Sequence, residues 1–64
     1  MKDKNGNLIE WGMDVDVPEP NETDIHNNEF RGDVVGFRNG YVQVCDGEGE
    51  TFEIEPERLE VVLD

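Results

Sequence analysis

Cysteine occurs once in these 64 residues, as Cys45, so no disulfide forms within the chain and a disulfide-stapled secreted scaffold is excluded. Long apolar runs are missing too. The longest is Val61-Val62-Leu63, and Met1-Lys2-Asp3-Lys4-Asn5 leads into none, so neither a signal peptide nor a membrane span is expected. A reducing cytoplasm is the expected compartment. Basic residues are scarce: five Lys and Arg stand against 17 Asp and Glu, for a formal net charge of -12. Such a chain repels phosphate backbones and anionic membranes over about 8 to 10 Å, which disfavours direct nucleic-acid binding. Histidine is limited to His26, and no hydroxyl nucleophile or second histidine is placed beside it by any motif. The expectation is therefore no enzyme, no cofactor and no metal.

The residues present carry a strong β pattern. Asn39-Gly40, between Val34-Val35-Gly36-Phe37 and Tyr41-Val42-Gln43-Val44, predicts a two-residue hairpin turn, because both positions of such a turn need positive φ. That register opposes Arg38 to Tyr41, Phe37 to Val42, Gly36 to Gln43 and Val35 to Val44, so Val35, Phe37, Val42 and Val44 share one apolar face. Gly47-Glu48-Gly49 predicts a three-residue loop with a glycine in the left-handed region. It opposes Val44 to Phe52 and Val42 to Ile54. Two turns read independently thus arrive at one core.

Upstream, Met13-Asp14-Val15-Asp16-Val17 alternates strictly, with Met13, Val15 and Val17 inward and both aspartates outward. Gly12 breaks the chain before this strand, and Pro18 and Pro20 end it. Residues 21–28 read as a polar loop anchored by Ile25. Asn5-Gly6-Asn7 is a turn pairing residues 1–4 with 8–11, an accessory N-terminal hairpin whose polar first arm is expected to fray. Pro56, flanked by acids, suits a single 3₁₀ turn before a short last strand at Glu60-Val61-Val62-Leu63. The whole is a single all-β domain over 1–64: a small five-stranded barrel.

Candidate chemistry is thin. Asp14 and Asp16 lie two apart on one outward face, yet a hard cation needs roughly six oxygens or more and no ligand loop accompanies them. Asp46-Gly47-Glu48-Gly49-Glu50 lacks the length of a calcium loop and reads as a hairpin turn. Cys45 falls beside Gln43 and Thr51, where carboxylates at Asp46 and Glu50 disfavour its thiolate. Asn21-Glu22-Thr23 matches a glycosylation sequon, a three-residue pattern frequent by chance. The candidate partner-contact residues are Tyr41, Trp11, Phe30 and Arg38, since the register leaves these three aromatic side chains outside the central core. Trp11 also has a competing reading, as a cap on an open barrel end. Glu48, Glu50, Glu53, Glu55 and Glu57 form an acidic face, which either solubilises the domain or docks a basic partner.

Three segments carry a family resemblance: Gly12-Met13-Asp14-Val15-Asp16-Val17, Phe30-Arg31-Gly32-Asp33-Val34-Val35-Gly36, and Phe52-Glu53-Ile54-Glu55-Pro56-Glu57-Arg58-Leu59-Glu60-Val61. Together they resemble the small bacterial Src-homology-3-like β-barrels. The middle segment is also similar to KOW-type elongation-factor modules. Residues 3–7 with Gly12-Met13-Asp14-Val15 are similar to the barrel start of PhnA-type proteins, without their zinc-ribbon cysteines. The resemblance implies a binding module. Residues 18–28 hold no aromatic side chain, which argues against a polyproline receptor. The expectation is a monomeric, acidic, non-catalytic protein-binding module. The alternative is a KOW-like nucleic-acid-associated module, or an acidic mimic of nucleic acid that occupies a basic protein.

Overall fold

The computed structural model describes residues 1–20 and 28–63. Five antiparallel strands run in sequence order: β1 (Asp14–Val17), β2 (Phe30–Arg38), β3 (Tyr41–Cys45), β4 (Thr51–Ile54) and β5 (Glu60–Val61). One 3₁₀ turn, Pro56–Arg58, precedes β5, and no α-helix occurs among the described residues. The strands form one sheet in the order β4-β3-β2-β1-β5. The molecule measures 25 × 21 × 21 Å along its principal axes, dimensions compatible with a small barrel-like fold. Ile25, His26 and the sequon at Asn21-Glu22-Thr23 lie outside the described residues.

The turns behave as their residues require. Asn39 and Gly40 take φ of 51° and 84°, the pair of left-handed conformations that joins β2 tightly to β3. Gly49, at φ 90°, turns β3 into β4, and Val44 faces Phe52 while Val42 faces Ile54. Pro56 opens the 3₁₀ turn, which closes through Leu59 N–H donating to the Pro56 carbonyl at 3.1 Å.

The core consists of Ile9, Val15, Val17, Val34, Val42, Val44, Phe52, Ile54, Leu59 and Val61, with Met13 and Phe30 packed against it. Most of these are β-branched, stiff side chains that pack well on a pleated surface. Two inward assignments, Val35 and Phe37, are corrected. The β2–β3 register holds from Arg38↔Tyr41 to Gly36↔Gln43, then shifts, so Val34 rather than Val35 faces Val44. Val34 is fully buried, whereas Val35 and Phe37 are exposed. The cause is a β-bulge where β2 serves two neighbours: Val34 N–H donates to the Met13 carbonyl at 2.9 Å, and its carbonyl accepts from Gly12 N–H at 2.8 Å. Phe37 keeps its place opposite Val42 but sits one pair from the turn, where the core ends.

The N-terminal arm is also corrected: it is tied down instead of frayed. Ile9 N–H donates to the Met1 carbonyl at 2.8 Å and Lys4 N–H to the Leu59 carbonyl at 3.0 Å. Asp3 is buried, 5% exposed, and its carboxylate accepts from Val61 N–H at 2.7 Å, Asn7 N–H at 2.7 Å and Asn5 N–H at 2.9 Å. Burial alone would raise its pKa. The backbone donors of Val61, Asn7 and Asn5, with the Asn7 amide, outweigh that and hold the carboxyl below its ordinary value near 3.8.

Two predictions follow from these placements. Val34→Ala lowers stability by roughly 2 kcal/mol, whereas Val35→Ala costs about 0.5 kcal/mol or less; urea unfolding of both variants checks the bulge, and equal losses would contradict it. Because the folded Asp3 pKa is depressed, its stabilisation is complete above the ordinary carboxyl value and is lost as pH falls through the folded one. Asp3→Asn therefore melts several degrees below the parent at neutral pH. The gap closes as pH drops below about 4, as melting curves across pH 2 to 7 would show.

Candidate interaction surface

Among the described residues Trp11 is the least buried large hydrophobic side chain, 74% exposed, and its position follows from a tight turn. Met13 N–H donates to the Glu10 carbonyl at 3.2 Å, and Gly12 at φ 87° supplies the left-handed third position, leaving Trp11 on the outer corner. The corner is nevertheless anchored. Gly12 N–H binds the Val34 carbonyl, and the Trp11 indole Nε1–H donates to the Val35 carbonyl at 3.2 Å. The indole thereby supplies a donor to a backbone carbonyl at the bulge.

This arrangement attaches a large exposed ring to the part of β2 where Val35 and Phe37 are themselves exposed, Phe37 at 43%. At the end of that strand, Arg38 faces Tyr41 across the hairpin, and Tyr41 is 38% exposed. Leu8, on the N-terminal hairpin, is 54% exposed. A chain with so few large apolar side chains thus leaves several of them uncovered.

The four candidate contact residues are not all brought together. Trp11, Arg38 and Tyr41 lie against the bulged and C-terminal half of β2, whereas Phe30 opens that strand opposite Val17. Phe30 is half-buried, with its ring 5.5 Å from that of Phe52, and so completes the core. The cap reading of Trp11 does not hold, because a ring 74% exposed covers no barrel end.

A second surface was not foreseen. A cleft of about 520 Å³ between the β1–β2 ends and the 3₁₀ turn gathers Lys4, Arg31 and Arg58, three of the five basic residues. Topology alone brings them together from three distant segments, so no local pattern could have announced it. Each faces a carboxylate: Arg31 Nε donates to Asp16 at 2.8 Å, Arg58 to Glu55 at 3.3 Å, and Lys4 lies 4.0 Å from Glu60. Four carboxylates, those of Asp16, Glu19, Glu29 and Glu60, line the cleft beside the three cations, and exposed pairs such as Arg31–Asp16 contribute about 0.2 to 1 kcal/mol each.

The other sequence candidates are dispersed. Asp16 pairs with Arg31 while Asp14 stands opposite Asp33, and among the described residues no three metal-ligating side chains converge. Cys45 is half-buried, its thiol donating to the Asp46 carbonyl at 3.4 Å. Glu48 and Glu50 flank the β3–β4 turn, where their N–H groups both bind the Asp46 carboxylate at 2.9 Å. Glu53 is on β4 and accepts from the Gln43 amide at 3.4 Å, Glu55 pairs with Arg58, and Glu57 is exposed on the 3₁₀ turn. Among the described residues, no helix is long and apolar enough to cross a membrane.

No family model, curated protein or solved structure matches the chain.

Trp11 is the only tryptophan, which makes its exposure directly readable. Its fluorescence should be quenched by neutral acrylamide nearly as efficiently as free indole. Iodide should quench it less well, because the net charge of -12 repels the anion; weak quenching by acrylamide would show the ring to be covered.

Proposed function

We propose that this protein is a non-catalytic, Src-homology-3-like interaction module that docks a partner protein through the surface around Trp11. The strand order β4-β3-β2-β1-β5, with a long β1–β2 connection and a 3₁₀ turn before β5, supports the barrel family. One observation carries the functional reading: a tryptophan 74% exposed, yet hydrogen-bonded to the bulge of β2. The bond serves a backbone carbonyl and at the same time holds an apolar ring in the open. Held rigidly, it loses little conformational freedom when a partner covers it, and tryptophan and tyrosine are the side chains that most often dominate binding energy. Val35, exposed at the same bulge, extends the contact beyond a single ring.

The partner's chemistry follows from charge. Acids outnumber bases more than threefold in the chain, so the favoured partner carries a basic rim around an apolar centre. Opposite charge speeds the encounter, and the apolar contact sets how long the complex lasts.

Immobilised parent domain and a Trp11→Ala variant, exposed to the same cell lysate and washed with rising salt, test the reading. Retention that survives high salt on the parent and falls by about tenfold or more on the variant is the expected result, matching a contact worth at least about 1.4 kcal/mol. Capture of a nucleic-acid-binding protein that moderate salt releases equally from both columns would instead favour the acidic-mimic reading.

A further inference from the structure

The two edges of the sheet are treated differently. The β5 edge is closed by the N-terminal hairpin, since Asp3 accepts from Val61 N–H and Lys4 N–H donates to the Leu59 carbonyl. Among the described residues the β4 edge has no such cover. Asp46 N–H donates to the Glu50 carbonyl at 2.9 Å, which makes these two residues a hydrogen-bonded pair. In an antiparallel ladder such pairs alternate with non-bonded ones, so Phe52 and Ile54 bond to β3 while Thr51 and Glu53 point their N–H and C=O groups away from it. Among the described residues, no hydrogen bond reaches those four groups.

We propose that the β4 edge is a strand-addition site for an extended, basic segment of a partner protein. Unpaired backbone groups on an edge strand template a further strand, and the main chain of the incoming segment supplies the binding hydrogen bonds. Charge selects the occupant. Glu50 and Glu53 are exposed on β4 and its turn, Glu48 and Glu57 are exposed at its two ends, and the chain as a whole carries -12. A second copy would set glutamate against glutamate, whereas lysine or arginine opposite Glu53 would lie about 5 Å away, the distance at which cross-strand pairs interact. Side chains on the other face of the added strand would fall beside Phe52 and Ile54, both inward-facing, so the fitting segment alternates basic with apolar residues. This surface is two strands from the β2 bulge under Trp11, and it stands or falls separately from the docking proposed there.

The test uses the full chain, labelled with nitrogen-15, and a capped seven-residue peptide of alternating lysine and valine, with an alternating glutamate and valine peptide as control. In the free protein the Thr51 and Glu53 amides should exchange rapidly with solvent. The basic peptide should slow both and shift the β4 resonances, while the acidic peptide does neither. Glu53→Pro removes an N–H that β3 does not use and should weaken binding by about tenfold or more with the fold retained by circular dichroism. Glu53→Lys keeps the backbone and should weaken the basic peptide while admitting the acidic one. Slow exchange of both amides without peptide, protection that rises with protein concentration, or shifts centred on Trp11 and β2 would each overturn the proposal. So would equal binding of the two peptides.

Discussion

The carboxylate of Asp3 accepts three backbone N–H groups and thereby joins the first residues of the chain to the last strand, 58 positions away. Much of the fold depends on that junction. A two-residue strand such as β5 has little pairing of its own, meeting β1 only at Val61 and Glu60. Its outer edge would leave the Val61 N–H buried and unsatisfied, a cost comparable to a lost hydrogen bond. By filling that role with a side chain, the N-terminal hairpin also carries Ile9 into the core, so that one polar contact and one apolar one fasten the same segment. A carboxylate suits the position better than an amide would, since it accepts from several donors at once and needs none itself.

Charge and packing are kept apart in space. The core is almost wholly aliphatic, and Asp3 is the only charged side chain buried among the described residues. The remaining acids among the described residues are exposed or half-exposed, and five Lys and Arg are too few to pair with 17 Asp and Glu. Three of those few converge on the cleft beside the 3₁₀ turn, each opposite a carboxylate. Repulsion among the rest opposes compaction but also deters association of like copies, which matters for a small domain with a sheet edge open to solvent.

Much of this architecture was legible in the sequence where geometry is set by neighbours. Asn39-Gly40 and Gly49 determine their turns through φ angles that few residues tolerate, and β3–β4 pairing follows from Gly49 without error. The same logic failed beyond Gly36, because a turn dictates register only until something interrupts the ladder. The interruption came from Gly12 and Met13, which bond Val34 from the other side of β2; nothing local to β2 encodes that demand. Asp3 was illegible for a similar reason. A polar residue near a terminus reads as solvated unless its acceptor role is known, and its principal donor lies at the opposite end of the sequence. Trp11 was correctly separated from the central core, but its exposure depends on a corner turn resting on that same unforeseen bulge.

The bulge therefore links the fold to its surface. Had the β2–β3 register continued unbroken, Val35 would have filled the core in place of Val34. In the shifted register the Val35 carbonyl accepts from the Trp11 indole, on the corner where the chain turns into β1. Satisfying the carbonyl fixes the ring in the open, with Val35 and Phe37 exposed along the same strand. An exposed aromatic surface in this protein is thus a consequence of how the sheet resolves a conflict between two neighbours of β2. Removing the bulge would dismantle the surface along with it.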